Sequence, residues 1–242
     1  YWNGWLFAAF AATAALFMVH IRRVQEPFVR PGLFRNSAYR TGLMLTLLIA
    51  AASNGLLLLS PILLSDVYGL ESEWIGFALV PAAFASAVLG RRAGKLADRK
   101  GNLFLYAIAA GLIIACFVLL SLFSGTMPVW AVPIVLIFGN LGQTFMQVAF
   151  TNAVSVTLPK SDAGVGMGLF SMTNFIAMAV SASLYGVAVE AGRKGFATGI
   201  ESDAGAFSLI YAALAVLHIV LLFIFRMRFG AGTARERSVT EG

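Results

Sequence analysis

The side chains in this sequence that could do chemistry sit where polar groups are expensive. One apolar run, 128–152, carries Asn140, Gln143, Thr144, Gln147 and Thr151. At the pitch of an α-helix these five fall within about 100° of one another. A second run, 163–189, sets Ser171, Asn174, Ser181 and Tyr185 on a comparably narrow arc. A third, 41–64, sets Thr46, Ser53 and Ser60 on one face with Asn54 beside it. Uncharged amides in an apolar span cost free energy unless they are paired or wetted. Such stripes are expected either to line a water-filled cavity that binds a small molecule, or to tie helix to helix. Neither is covalent chemistry. No nucleophile triad, phosphate-cradling glycine loop or metal-ligand cluster is recognisable, so no enzyme, metal site or cofactor is expected.

His218 is the only ionisable side chain deep within an apolar run. Histidine titrates near neutrality, so it is a candidate proton carrier. The simpler structural alternative is a neutral ring bonded to a neighbouring helix. The densest charge is in Gly90-Arg-Arg-Ala-Gly94-Lys-Leu96-Ala97-Asp98-Arg99-Lys-Gly101. A loop beside a membrane needs positive charge. It does not need glycines, a Leu-Ala pair and Asp98-Arg99 at fixed offsets.

The elements that must position these groups follow from composition. The chain has 242 residues, 60% hydrophobic and only 12% charged, with a mean hydropathy of +0.86. An ordinary soluble domain carries roughly 25% charged residues. Here the charges cluster, and the runs between clusters lack Asp, Glu, Lys and Arg. A soluble enzyme, a nucleic-acid-binding domain and a disordered chain are thereby disfavoured, and a helical membrane protein is expected. The net charge of +6 reads as membrane-flank charge, with no nucleic-acid partner. The single cysteine, Cys116, lies in an apolar run and allows no internal disulfide. The sequence starts at Tyr1 and enters an apolar run without a basic n-region, so no signal peptide is read and a fragment of a longer protein is expected.

Seven transmembrane helices are expected, over Trp2–Val19, Thr41–Leu64, Trp74–Gly90, Leu103–Phe123, Pro128–Asn152, Ala163–Val189 and Ala204–Phe225. Helices are required because lipid offers no partner to free backbone groups. Fifteen of the seventeen Lys and Arg lie in segments 20–40, 91–101, 153–162 and the C-terminal tail; only Arg193 and Lys194 lie on the other side. This asymmetry puts the C-terminus in the cytoplasm and the start of the first helix outside. Trp2, Trp5, Trp74 and Trp130 then all fall at the outer interface, the depth that indole rings favour. A retinal protein would need a lysine within its last helix. The lysines are at 95, 100, 160 and 194, none inside a span.

The 90–101 stretch resembles the loop signature of the major facilitator superfamily, G-x-L-A-D-R-x-G-R/K. Gly94, Leu96, Ala97, Asp98, Arg99 and Gly101 match, while Asn102 stands where Arg or Lys is usual. The resemblance implies that Asp98 faces a helix N-terminus and an arginine, latching the cytoplasmic side; a carboxylate there gains about 0.3–1 kcal/mol. The run His20-Ile-Arg-Arg-Val-Gln-Glu-Pro27-Phe-Val-Arg-Pro31-Gly-Leu is similar to the loop before the C-terminal half of fourteen-helix drug:proton antiporters, and is closest to tetracycline-efflux proteins of the Gram-positive type. Gly164-Val-Gly166-Met167-Gly-Leu resembles the start of their penultimate helix.

By this resemblance, residues 1–20 are an extra central helix, 21–40 a cytoplasmic linker, 41–226 the C-terminal six-helix bundle and 227–242 a cytoplasmic tail. The missing N-terminal half would be the partner, and the site would be the bacterial cytoplasmic membrane. Each half is then a pair of three-helix inverted repeats. The first helix of each triplet lines the cavity, the second meets the other half and the third faces outward. The implied function is multidrug efflux: antiport of an amphipathic drug such as tetracycline against protons, with the proton gradient as energy source and antibiotic resistance as the outcome. Where the tetracycline-efflux relatives carry a membrane-embedded glutamate, this sequence has Met178, which suits varied amphipathic ligands. The expected cavity residues are Ser53, Asn54, Asn140, Gln143, Gln147, Thr151, Ser171, Asn174 and Met178. The expected gate residues are Gly90, Gly94, Leu96, Asp98, Arg99 and Gly101. Gly164 and Gly168 form a GxxxG expected to permit close packing. The alternatives are an exporter of a metabolite or lipid-like compound, and a non-transporting seven-helix scaffold or receptor.

Overall fold

The computed structural model describes residues 4–23, 31–195 and 202–240. They form seven long helices and one short 3-10 turn at Pro31–Arg35, with no strand among them. The helices are α1 (Gly4–Arg23), α2 (Ser37–Asp66), α3 (Ser72–Lys100), α4 (Asn102–Phe123), α5 (Ala131–Ser155), α6 (Ala163–Arg193) and α7 (Asp203–Thr240). Helices α2 to α7 are long and apolar enough to cross a bilayer. Helix α1 has 20 residues, about 30 Å of rise, and its described side chains, Trp5, Phe10 and Leu16 among them, are exposed.

Local chemistry sets the ends. Asn36 caps α2, its Oδ1 accepting from the amides of Ala38 and Tyr39. Gly101 turns the chain from α3 into α4 with a φ of +87°, a conformation that a Cβ would strain. Pro61 and Pro81 lie inside α2 and α3 and each removes one backbone donor.

Packing shows an internal repeat. Helix α2 packs on α6 and α7, α5 packs on α3 and α4, and α4 packs on α7. Exchanging α2–α4 for α5–α7 maps α2·α6 onto α5·α3 and α2·α7 onto α5·α4, while α4·α7 maps onto itself. This is the pattern of two related triplets. The α4·α7 seam is aromatic, with Tyr106 stacked on Phe225 at 3.8 Å between centroids and Phe117 against Tyr211 at 5.7 Å. Ser121 and Ser208 close it reciprocally, each hydroxyl donating to the other's carbonyl. Small residues bring α5 close to its neighbours: a Cβ on Gly142 would lie 2.8 Å from the Ala109 carbonyl, and one on Gly139 would lie 2.7 Å from the Cys116 sulfur. Helices α3 and α6 are the least buried spans.

Three expectations need correction. The 90–101 stretch is not a loop: α3 runs on through Lys100, so only Gly101 turns. Ala, Leu, Lys and Arg are strong helix formers and carry the helix past the isolated Gly90 and Gly94. The segment after 226 continues α7 as helix to Thr240. Gly164 and Gly168 have open space around their Cα atoms, and the tight approach is at Gly166, against Leu158.

Candidate functional site

A cavity of about 580 Å³ lies between α2, α5 and α6. Helix α2 contributes Thr46, Ser53 and Asn54; α5 contributes Asn140, Gln143, Thr144 and Gln147; α6 contributes Ser171, Asn174 and Met178. The apolar part of the wall includes Ile49, Met146, Phe150, Phe170 and Phe175. Among the described residues, no charged side chain lines it. Eight of the nine residues expected from the polar stripes and from the Met178 correspondence therefore come together. Thr151 does not. Phe150 and Phe170 are the lining residues nearest this end of α5 and α6, with centroids 6.1 Å apart, and Thr151 lies past them.

The polar groups are not used mainly to join helices. Asn140 Nδ2 donates to the Leu136 carbonyl at 3.0 Å and Asn174 Nδ2 to the Phe170 carbonyl at 3.0 Å, each on its own helix. Their amide oxygens are left without a donor among the described residues. Thr144 bonds the Asn140 carbonyl at 3.0 Å. Gln143 alone of the α5 stripe reaches across, its Nε2 lying 3.4 Å from the Ser53 carbonyl. The side chains of Asn54, Gln147 and Ser171 make no hydrogen bond to a described residue. The wall thus offers amide donors and acceptors beside three phenyl rings and two thioethers, a surface suited to amphipathic molecules.

The rest of the polar arc on α6 lies beyond the cavity lining. Tyr185 Oη donates to the Ala51 carbonyl at 2.6 Å, and Ser181 is buried against α6's own Met178 carbonyl. Gly55 makes room for the tyrosine, since a Cβ there would lie 3.0 Å from its hydroxyl. His218 does not point outward from α7: it is buried, with Nε2 3.3 Å from Ser53 Oγ.

Two polar clusters mark the bundle's ends. At one end Arg193 pairs with Asp66 and, at 2.9 Å, with Asp203, so α6 holds α2 and α7. At the other, Tyr39 Oη donates to the Gly166 carbonyl at 2.7 Å and Asn36 Nδ2 to the Thr157 carbonyl at 2.8 Å. The 90–101 residues lie at this second end. Asp98 and Arg99 are exposed and make no ion pair with a described residue. Leu96 is half-buried, and Gly94 has open space around it. Gly90 abuts the cavity residue Thr144. Asn102 accepts from Asn152 Nδ2 at 3.4 Å.

The phenyl walls were not legible in the sequence. Phe150 and Phe175 lie three and four residues from Gln147 and Ser171, but nothing separates a cavity-facing phenylalanine from a lipid-facing one.

Comparison with known proteins agrees with this architecture. The family described as Major Facilitator Superfamily matches residues 1–182. A Serratia proteamaculans (strain 568) protein named "Putative multidrug resistance protein MdtD" is 23% identical over 217 residues, covering 86% of this chain and 44% of that protein. The chain thus spans about half the length of that curated relative. No solved structure matches it.

Proposed function

The chain belongs to the Major Facilitator Superfamily, and we propose that it is the C-terminal half of an efflux transporter that exchanges an amphipathic drug, such as tetracycline, for protons by alternating access. The observation that carries this reading is the cavity of about 580 Å³, where the Gln147 amide and the amide oxygens of Asn140 and Asn174 stand free of described partners beside aromatic side chains. Free amides suit reversible binding of a ligand that arrives and leaves by hydrogen-bond exchange with water. Its polar wall turns toward an N-terminal bundle of the same protein. The proton gradient supplies the energy, without a bound cofactor and without covalent chemistry. The reading sets the protein in the bacterial cytoplasmic membrane with its C-terminus inside, where the basic residues of 91–101 meet anionic lipid head groups. Asp98 acts there as part of a latch between cytoplasmic helix ends. The resistance function in the name of the S. proteamaculans relative supports drug cargo.

The test is transport by the full-length protein in inverted vesicles. Labelled tetracycline and a panel of amphipathic drugs should accumulate only under an imposed proton gradient and be released by a protonophore. Gradient-independent transport, or none across the panel, overturns the reading. The uncharged lining favours a second reading, export of a neutral metabolite or lipid-like compound, which the same vesicles separate by cargo. A non-transporting scaffold would keep its function in Asp98→Asn, whereas the transporter should lose most of its rate.

A further inference from the structure

His218 lies behind the cavity wall with one route to it. It is 1% exposed. Its Nδ1 is 2.9 Å from the Leu214 carbonyl. A carbonyl only accepts, so Nδ1 carries a proton. In the neutral ring Nε2 is then a lone pair, and the Ser53 hydroxyl, 3.3 Å away, donates to it. Ser53 itself lines the cavity. Its oxygen also lies 3.8 Å from Met146 Sδ, and its carbonyl accepts from Gln143. Phe117 closes the ring from α4, edge on at 5.3 Å.

Among the described residues, no carboxylate or cation shares this site. The helices around the imidazole are α2, α4, α5 and α7. Helices α4 and α5 contain no Asp, Glu, Lys or Arg, and the charges of α2 and α7 lie toward their ends, at Arg40, Asp66, Asp203 and from Arg226 onward. Of the other titratable groups in the surrounding interior, Cys116 lies beside Gly139, the Tyr211 ring packs on Phe117 and Phe207 while its hydroxyl is buried without a described partner, and Tyr185 donates to the Ala51 carbonyl.

We propose that His218 is a proton-binding site wired to the cavity through the Ser53 hydroxyl, which shows the cavity an acceptor when the imidazole is neutral and a donor when it is protonated. The inference rests on the efflux reading above and names its coupling residue within this chain. The step is a single proton transfer. A hydronium or proton-bearing water in the cavity gives its proton to Ser53 Oγ as Ser53 passes its own to Nε2. No electrons move, and the products are an imidazolium and an intact serine whose hydrogen now points into the cavity. Both ring nitrogens then donate, one to Leu214 and one to Ser53. A ligand that donates a hydrogen bond to Ser53, or carries positive charge, binds the neutral state and is expelled by the protonated one. Proton and drug thus exclude each other, as an exchanger needs.

The full-length transporter in lipid nanodiscs, labelled with 15N-histidine, tests this directly. Signals missing in His218→Asn identify the residue. Its nitrogens should report a one-proton titration within the pH range of transport, and Ser53→Ala should shift that titration. A ring that stays neutral throughout, or titrates identically in Ser53→Ala, overturns the proposal. In vesicles the wild-type KM for an amphipathic cation should be flat above the titration and rise toward about tenfold per pH unit of acidification below its midpoint, the signature of one competing proton. Ser53→Ala and His218→Asn, each matched to wild type in thermal unfolding, should flatten that slope. If wild-type transport ignores the proton gradient, the efflux reading itself fails. If wild type is driven by the gradient and both variants keep its pH profile, only this inference fails.

Discussion

Gly90 of α3 sits directly against Thr144 of α5: a Cβ on the glycine would lie 2.9 Å from the threonine methyl. The first residue of the basic stretch therefore supports a side chain of the cavity wall. Gly90→Ala should wedge α3 away from α5 and cost about 1–3 kcal/mol. Removing the methyl in Gly90→Ala/Thr144→Ser should recover most of the loss. Unfolding of the purified variants measures both, and a double variant no better than the single one would show the contact to be irrelevant.

Asn140 bonds its own helix and the Gln147 side chain bonds no described residue, so removing either should spare the fold. Asn140→Ala and Gln147→Ala should each weaken drug binding about tenfold, the value of one hydrogen bond of about 1.4 kcal/mol. Unfolding temperatures should stay near wild type. Lost stability with unchanged binding would mark these side chains as packing groups.

Tyr185→Phe keeps the ring and deletes the bond to the Ala51 carbonyl. The expected cost is about 0.5–1.5 kcal/mol. Gly55→Ala should cost more, because its methyl would meet Leu214 at 2.7 Å as well as the tyrosine. The ranking of the two in detergent-titrated unfolding is the check.

Arg193 binds two carboxylates, but the three side chains are 25–46% exposed. Partly exposed pairs contribute little, about 0–1 kcal/mol. Arg193→Gln should therefore leave stability almost unchanged, and the small difference should vanish in high salt. A loss above about 2 kcal/mol would mean that this end is drier than its exposure indicates.

How far the site was legible depended on periodicity. Amides three and four residues apart in an apolar run define a helical face by spacing alone, which is why Asn140, Gln143 and Gln147 could be grouped, and Ser171 with Asn174. The limit of the cavity could not be read that way. Thr151 keeps the period and still falls outside, because where a wall ends is set by what the neighbouring helix places opposite it. The 90–101 stretch failed differently. Its charges and glycines look like loop chemistry, whereas the intervening Ala, Leu and Lys sustain a helix. His218 was visible as an oddity, but its link to Ser53 joins residues 165 positions apart, beyond any local pattern.

Helix α3 buries just Ala82, Ala93 and Ala97. Its larger side chains on that side, Ile75, Leu79 and Leu96, stay only half-buried against the core, so few bulky groups would have to be withdrawn if this rod slid along its own axis. Of the six spans it is the least enclosed, and it is the one whose displacement should disturb its neighbours least.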